Sequence, residues 1–166
     1  DITAKVKSIL RLILITAQRP GEVCELEWTD IDGAWWTLPA DKAKNGHSHR
    51  VPLGTMVLEE IEPYRGNGSR WVFYSPRGEK PVGTHALAGA VRRTNCFGLP
   101  HFTPHDLRRT AATGMGKLNV GRFVLGRVLN HIETGATKVY DRASYDGEKR
   151  KALAKAAPAA VLGILA

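Results

Sequence analysis

Residues 2–18 are apolar on most faces of a helix, which predicts a helix buried on nearly every side. The next segment, "QRPGEVCELEWTDID", restarts a short helix at Pro20 and leaves it near Trp28. "AWWTLP" and "HSHRVPL" then read as two strands, joined by the polar, flexible "ADKAKNG". "GTMVLEEIEPY" predicts a helix with acidic exposed positions, and "RWVFYS" a short strand before a turn at "PRGEKPVG". From Thr84 onward the pattern is helical, over 84–95, 104–116, 120–130 and 146–162, with Pro158 interrupting the last stretch. No internal repeat is present. This order predicts a mostly helical α+β fold with a small antiparallel sheet.

A chain of 166 residues is long enough for one well-buried core and short for two, so residues 1–166 are read as a single domain. The chain opens on Asp1 rather than Met, which predicts an excised fragment with a further domain upstream. The run "ILRLILITA" carries Arg11 and is too short to span a bilayer. With no small-residue cleavage site after it, it does not read as a signal peptide. Cys24 and Cys96 have no metal-ligand spacing, and so few cysteines suit a reducing, cytoplasmic setting.

Charge narrows the function. The net charge is +8, but it is unevenly spread. Residues 1–62 hold 7 Lys and Arg against 10 Asp and Glu, whereas residues 63–166 hold 17 against 6. A segregated basic half suits a polyanionic partner, nucleic acid before others.

Within that half, "TPHDLRRT" places Thr103 as a helix cap and Pro104 at the first helical position. His105 and Arg108 then share one face beside a helix start that favours anions, a plausible phosphate site. Arg19 stands where a buried helix meets a proline-led one, costly unless it is paired or given an anion. Glu22, three residues on, offers an internal partner, so this segment alone leaves both readings open. Lys42 and Lys44 lie on the predicted hairpin, where a long ammonium could reach into a groove. His131 follows the helix "RFVLGRVLN", and Tyr140 follows in "TKVYDRASY", with Tyr145 five residues beyond it.

Taken in order, the words "QRPGEVCELEWTDID", "KNGHSHRVPL", "TPHDLRRTAAT", "VLNHIETGATKVYDR" and "SYDGEKRKAL" resemble the catalytic domain of the tyrosine recombinases, or phage-type integrases. The resemblance runs from about Ile9 to Leu153 and is strongest to integrases of prophages and genomic islands. It implies the tyrosine recombinase catalytic-domain fold and site-specific integration and excision of a mobile element. It also implies that Arg19 is the first catalytic arginine, Lys44 the hairpin lysine, and His105 and Arg108 the H-x-x-R pair. His131 takes the second histidine position and Tyr140 that of the nucleophile, with Glu22 in support. Arg19, Lys44 and Arg108 would contact DNA. Asn130 departs from the glycine that often precedes the second histidine, which leaves the local turn open. The family's N-terminal DNA-clamping domain has no counterpart in this chain. The implied partner is double-stranded attachment-site DNA, bound by a homo-tetramer, with a monomer in isolation. Type IB topoisomerase chemistry and a DNA-binding module without catalysis are the rival readings.

The residue types suit that chemistry. A tyrosine attacking a phosphodiester needs help with its proton, since its free pKa is about 10. Two arginines bind phosphate through their forks and never lose charge. Imidazoles at 105 and 131 can donate to phosphate oxygen, and His105 can also accept a proton. A hairpin ammonium can protonate the leaving 5′ oxygen. A covalent phosphotyrosine conserves the bond energy, so rejoining needs no ATP. No carboxylate cluster suits a metal, and neither Mg²⁺ nor any other cofactor is expected. The apolar tail is expected to dock on its own core or on a neighbour.

Overall fold

A computed structural model describes residues 2–76, 79–94, 100–131 and 144–165. Tyr140, Cys96 and the predicted helix end at residue 95 lie outside the described residues.

The first helix, α1 (Ala4–Thr16), is capped by Thr3, whose hydroxyl accepts the Val6 N–H. Ile9, Leu12 and Ile13 are fully buried, and α1 is the central rod against which most of the other helices pack. It stops two residues earlier than the pattern predicts. Ala17 turns left-handed (φ 57°), because the chain must be extended at Arg19 to enter Pro20. Helix α2 (Pro20–Cys24) follows at once, with Glu22 accepting the Arg19 N–H.

The sheet has three antiparallel strands, β1 (Ile31–Asp32), β2 (Trp35–Leu38) and β3 (His49–Pro52), in that order. The sequence pattern supplies β2 and β3 but misses β1. Its signal was the "DG" at its end: Gly33, at φ 53°, fills the first turn position between Asp32 and its partner Trp35. Between β2 and β3 the chain forms turns, not an extended hairpin arm.

Helix α3 (Thr55–Ile61) ends in a 3-10 turn at Glu62–Tyr64. The predicted strand over "RWVFYS" is not formed. Trp71, Val72 and Phe73 are buried in succession, with isolated bridges only, Trp71 to Glu27 and Tyr74 to Pro81. The Asn67 amide donates to the carbonyls of Trp71 and Val72, and the Val72 N–H donates to Leu26. A segment buried on both sides and satisfied by a side chain needs no ladder.

Helices α4 (Thr84–Thr94), α5 (Pro104–Lys117) and α6 (Arg122–Val128) stand close to the predicted positions. Helix α7 (Asp146–Leu165) runs straight through Pro158. Pro158 and Ala154, whose carbonyl loses its partner, are both exposed, so water can take up that carbonyl. Helix α7 packs on α1, α5, α6 and β3, burying Ala152, Leu153, Ala156 and Ala157 in the chain's own core.

Candidate active site

The site forms where the ends of α1, α5 and α6 meet the loop between β2 and β3. Arg108, one turn into α5, is buried and holds no carboxylate. Its Nη1 donates to the Ala17 carbonyl at 2.7 Å and its Nη2 to the Leu129 carbonyl at 2.6 Å. Both carbonyls belong to helix C-termini, where the backbone dipole is negative. One proton on each η nitrogen is left over to meet an anion. Burial and then the nearby Arg19 charge push its pKa down to about 10.

Arg109, its neighbour in sequence, is exposed and pairs with Asp106 at 3.0 Å. That carboxylate also accepts the N–H and hydroxyl of Thr103, closing the first turn of α5 after Pro104 as the sequence predicts. Adjacent arginines thus have opposite fates: one faces the helix junction, the other water.

Arg19 makes the internal pair that the sequence left open, Nη1 to Glu22 Oε1 at 2.9 Å. The pair does not consume the guanidinium. Its side chain keeps 19% exposure, and Nε and Nη2 donate to nothing among the described residues. Glu22, buried beneath it, orients the fork.

His105 and His131 are both exposed. Burial and then Arg108 hold each imidazole below its ordinary pKa, with further lowering from Arg19. Arg108 and the two imidazoles are therefore each disfavoured as cations by burial and by positive neighbours.

The end of α6 delivers His131. The His131 N–H donates to the Gly126 carbonyl and that of Asn130 to Arg127, a Schellman turn with Asn130 left-handed at φ 49°. Asparagine tolerates this conformation nearly as glycine does, which settles the turn at the position where the two differ. The carbonyls that α6 leaves open are each taken by a different element. Val128 accepts from Gln18 Nε2 at 3.0 Å and from His49 Nε2 at 3.2 Å, Leu129 from Arg108, and Asn130 from Asn45 Nδ2 at 2.7 Å. Because that carbonyl only accepts, His49 carries its proton on Nε2. Gln18, Asn45 and His49 gave no individual signal in the sequence; only Asn130 stood out, as a departure.

The two loop lysines separate clearly. Lys42 is bound by Asp30 at 2.7 Å and Glu27 at 2.9 Å; burial opposes its charge, but these bonds outweigh it and raise its pKa. Lys44 is exposed and has no hydrogen bond or ion pair among the described residues. The two do not share a strand face, because the loop is a run of turns around the buried Ala43. Tyr145 sits before α7, its ring edge-on to Phe123 at 4.8 Å and beneath Arg127.

Two arginines and two imidazoles stand at neighbouring helix ends, side-chain types that suit an oxyanion. The chain belongs to the phage integrase family, whose pattern matches residues 2–146. It is 29% identical over 155 residues to the prophage integrase IntZ of Escherichia coli K12, covering 89% of this chain and 38% of that protein. It is 28% identical over 156 residues to the tyrosine recombinase XerC of Bacillus licheniformis, covering 84% of this chain and 50% of that protein. Among solved structures, the fold matches the integrase from mycobacterium phage Brujita with a TM-score of 0.73 at 16% identity, over 94% of this chain and 53% of that one. It also matches a lambda integrase (75–356) dimer bound to a COC′ core site, with a TM-score of 0.64 at 22% identity, over 79% of this chain and 51% of that one. The tyrosine recombinase catalytic fold is thereby established. The chain spans less than two-fifths of the length of the prophage integrases it resembles.

Proposed function

We propose that this chain is the catalytic domain of a site-specific DNA recombinase that cuts and rejoins DNA through Tyr140. The observation that carries the reading is the shared positive site of Arg19, His105, Arg108 and His131, in which Glu22 is the one carboxylate bonded to either arginine among the described residues. Such a site is stabilised by a bound phosphate. The partner is double-stranded DNA, as in the DNA-bound lambda integrases that share the fold, one of them a tetramer on a Holliday junction.

In the reaction, the Tyr140 oxygen attacks phosphorus and its proton passes to His105, which is neutral at pH 7 in the free site. Arg19, Arg108 and His131 donate to the non-bridging oxygens as charge builds on them. The bond from phosphorus to the 5′ oxygen breaks, and Lys44 supplies the proton that the leaving oxygen takes. The product is a 3′-phosphotyrosine and a free 5′ hydroxyl. Attack by a 5′ hydroxyl reverses the steps and rejoins the strand. Tyr145 is the other nearby tyrosine, but its ring is engaged with Phe123 and Arg127 at the start of α7, which favours Tyr140.

The test is covalent capture on nicked candidate attachment-site duplexes. The wild-type chain is expected to form an adduct resistant to denaturant. Tyr140→Phe should form none while keeping its fold and DNA affinity. Adduct formation by Tyr140→Phe would move the nucleophile to Tyr145 or overturn the mechanism.

A further inference from the structure

The loop that carries Lys44 is tied to the turn that carries His131 by a reciprocal pair of asparagines. Asn45 Nδ2 donates to the Asn130 carbonyl at 2.7 Å, and Asn130 Nδ2 donates to Asn45 Oδ1 at 3.2 Å and to the His47 carbonyl at 3.4 Å. Asn45 Oδ1 also accepts the His47 N–H at 3.1 Å, closing the loop on itself directly after Lys44. Backbone partners at each end fix which way both amides face. Asn45 must turn its nitrogen to a carbonyl and its oxygen to an N–H, and Asn130 must turn its nitrogen to a carbonyl.

The two sides of this latch are not equally anchored. The end of α6 is held independently by the Schellman turn and by Gln18, His49 and Arg108. The loop is held before Lys44 by the Lys42 ion pairs and the buried Ala43. From Lys44 to Ser48, its only hydrogen bonds to other segments among the described residues are those to Asn130. Releasing the latch would therefore free Lys44 and leave His131 in place.

We propose that Asn45 and Asn130 are positioning residues that act through Lys44. They hold its backbone against the catalytic face while its side chain stays free to reach the leaving oxygen. Position 130 shows why the side chain matters. Glycine would meet the left-handed backbone without strain, yet it could make neither amide bond. This inference rests on the recombinase reading, with Lys44 as the acid.

Asn45→Ala removes the loop side of the latch. Asn130→Gly removes the two bonds that the Asn130 amide donates, leaves the carbonyl that accepts from Asn45, and keeps a residue suited to φ 49°, so it guards against loss of fold. The probe is a nicked duplex selected from a random-sequence pool by covalent capture on the wild-type chain. It is prepared with oxygen or with sulfur as the bridging 5′ atom. A thiolate leaves without an acid, its conjugate acid having a pKa of roughly 8.5, whereas an alkoxide does not. Each variant should cleave the oxygen substrate roughly tenfold or more slowly, within the ~10²–10⁴ that a positioned acid contributes. The double variant should be slower than either single one but by less than the product of their losses, because the two share the Asn130–Asn45 amide bond. On the sulfur substrate, all should approach the wild-type rate. Equal slowing on both substrates, or losses that multiply in the double variant, would overturn the latch alone. A wild-type chain that captures no duplex would overturn the recombinase reading, and the latch with it.

Discussion

At the scale of single residues, the site is built by giving neighbours of the same type different partners. Lys42 and Lys44 are two positions apart, yet among the described residues two carboxylates hold one and none holds the other. Their replacements should therefore fail in opposite ways. Lys42→Ala leaves Glu27 and Asp30 facing each other without a cation, and should lower stability by about 0.5–1 kcal/mol while cleavage continues. Lys44→Ala should leave the denaturation midpoint unchanged and slow cleavage of ordinary DNA, with recovery when the leaving atom is sulfur. Denaturant melts and adduct rates on the same preparations check both. The reverse pattern would place the acid at Lys42. Arg108 and Arg109 differ in the same manner, since only Arg108 bridges two helix ends. A lysine at 108 lacks the fork to reach both carbonyls, so the conservative exchange should cost both fold stability and capture.

At the scale of elements, the C-terminus of α6 is the meeting point, and His49 makes it sensitive to acid. His49 is buried, and its pKa is pushed down to about 3, first by burial and then by Lys149, with smaller lowering from Arg108 and Arg19. The Val128 carbonyl raises it only partly. Lys149, itself buried, is fixed nearby by the Arg50 carbonyl and Asp146. The unfolded chain takes up a proton at about pH 6.5 and the folded site resists it down to about pH 3. Stability should thus be full above about pH 6.5 and fall as pH drops, by on the order of 1 kcal/mol per unit within that window. His49→Gln should lie lower at pH 7.5 but decline less steeply towards pH 5, as urea midpoints would show. An equal slope in both would remove His49 as the sensor. This node was only partly legible in the sequence. Periodicity located α1, α5 and α6, and Thr103 with Pro104 located the start of α5. A bond such as His49 to Val128 leaves no trace in local pattern, because its partner is a backbone carbonyl 79 residues away. The predicted strand at "RWVFYS" failed for a related reason: β-favouring composition reported burial, and the Asn67 amide supplied what a neighbouring strand would have.

At the scale of the whole molecule, the lopsided charge and the packing of the C-terminal helix bear on how DNA would be held under the proposed function. Ala152, Leu153, Ala156 and Ala157 lie in the chain's own core, so these four side chains are not free for a contact between subunits. In the acidic first part, charges cancel locally: Arg11 with Glu60, and Lys42 with Glu27 and Asp30. In the basic second part, Arg92, Arg93, Lys117 and Arg122 are exposed and form no ion pair among the described residues. Cations without carboxylate partners are those that displace counterions from a duplex. Binding of the chain to duplex DNA should accordingly be dominated by backbone phosphates. With about six phosphate contacts, affinity should fall by roughly 10³ between ~50 and ~200 mM salt. Arg92→Ala combined with Arg93→Ala should make the plot of log affinity against log salt shallower by up to about two contacts, whatever the duplex sequence. Fluorescence anisotropy with a labelled duplex across that salt range measures both quantities. A slope near zero in the unaltered chain would mean that DNA is not held through this basic half. An unchanged slope in the double variant would place the contacts elsewhere than α4.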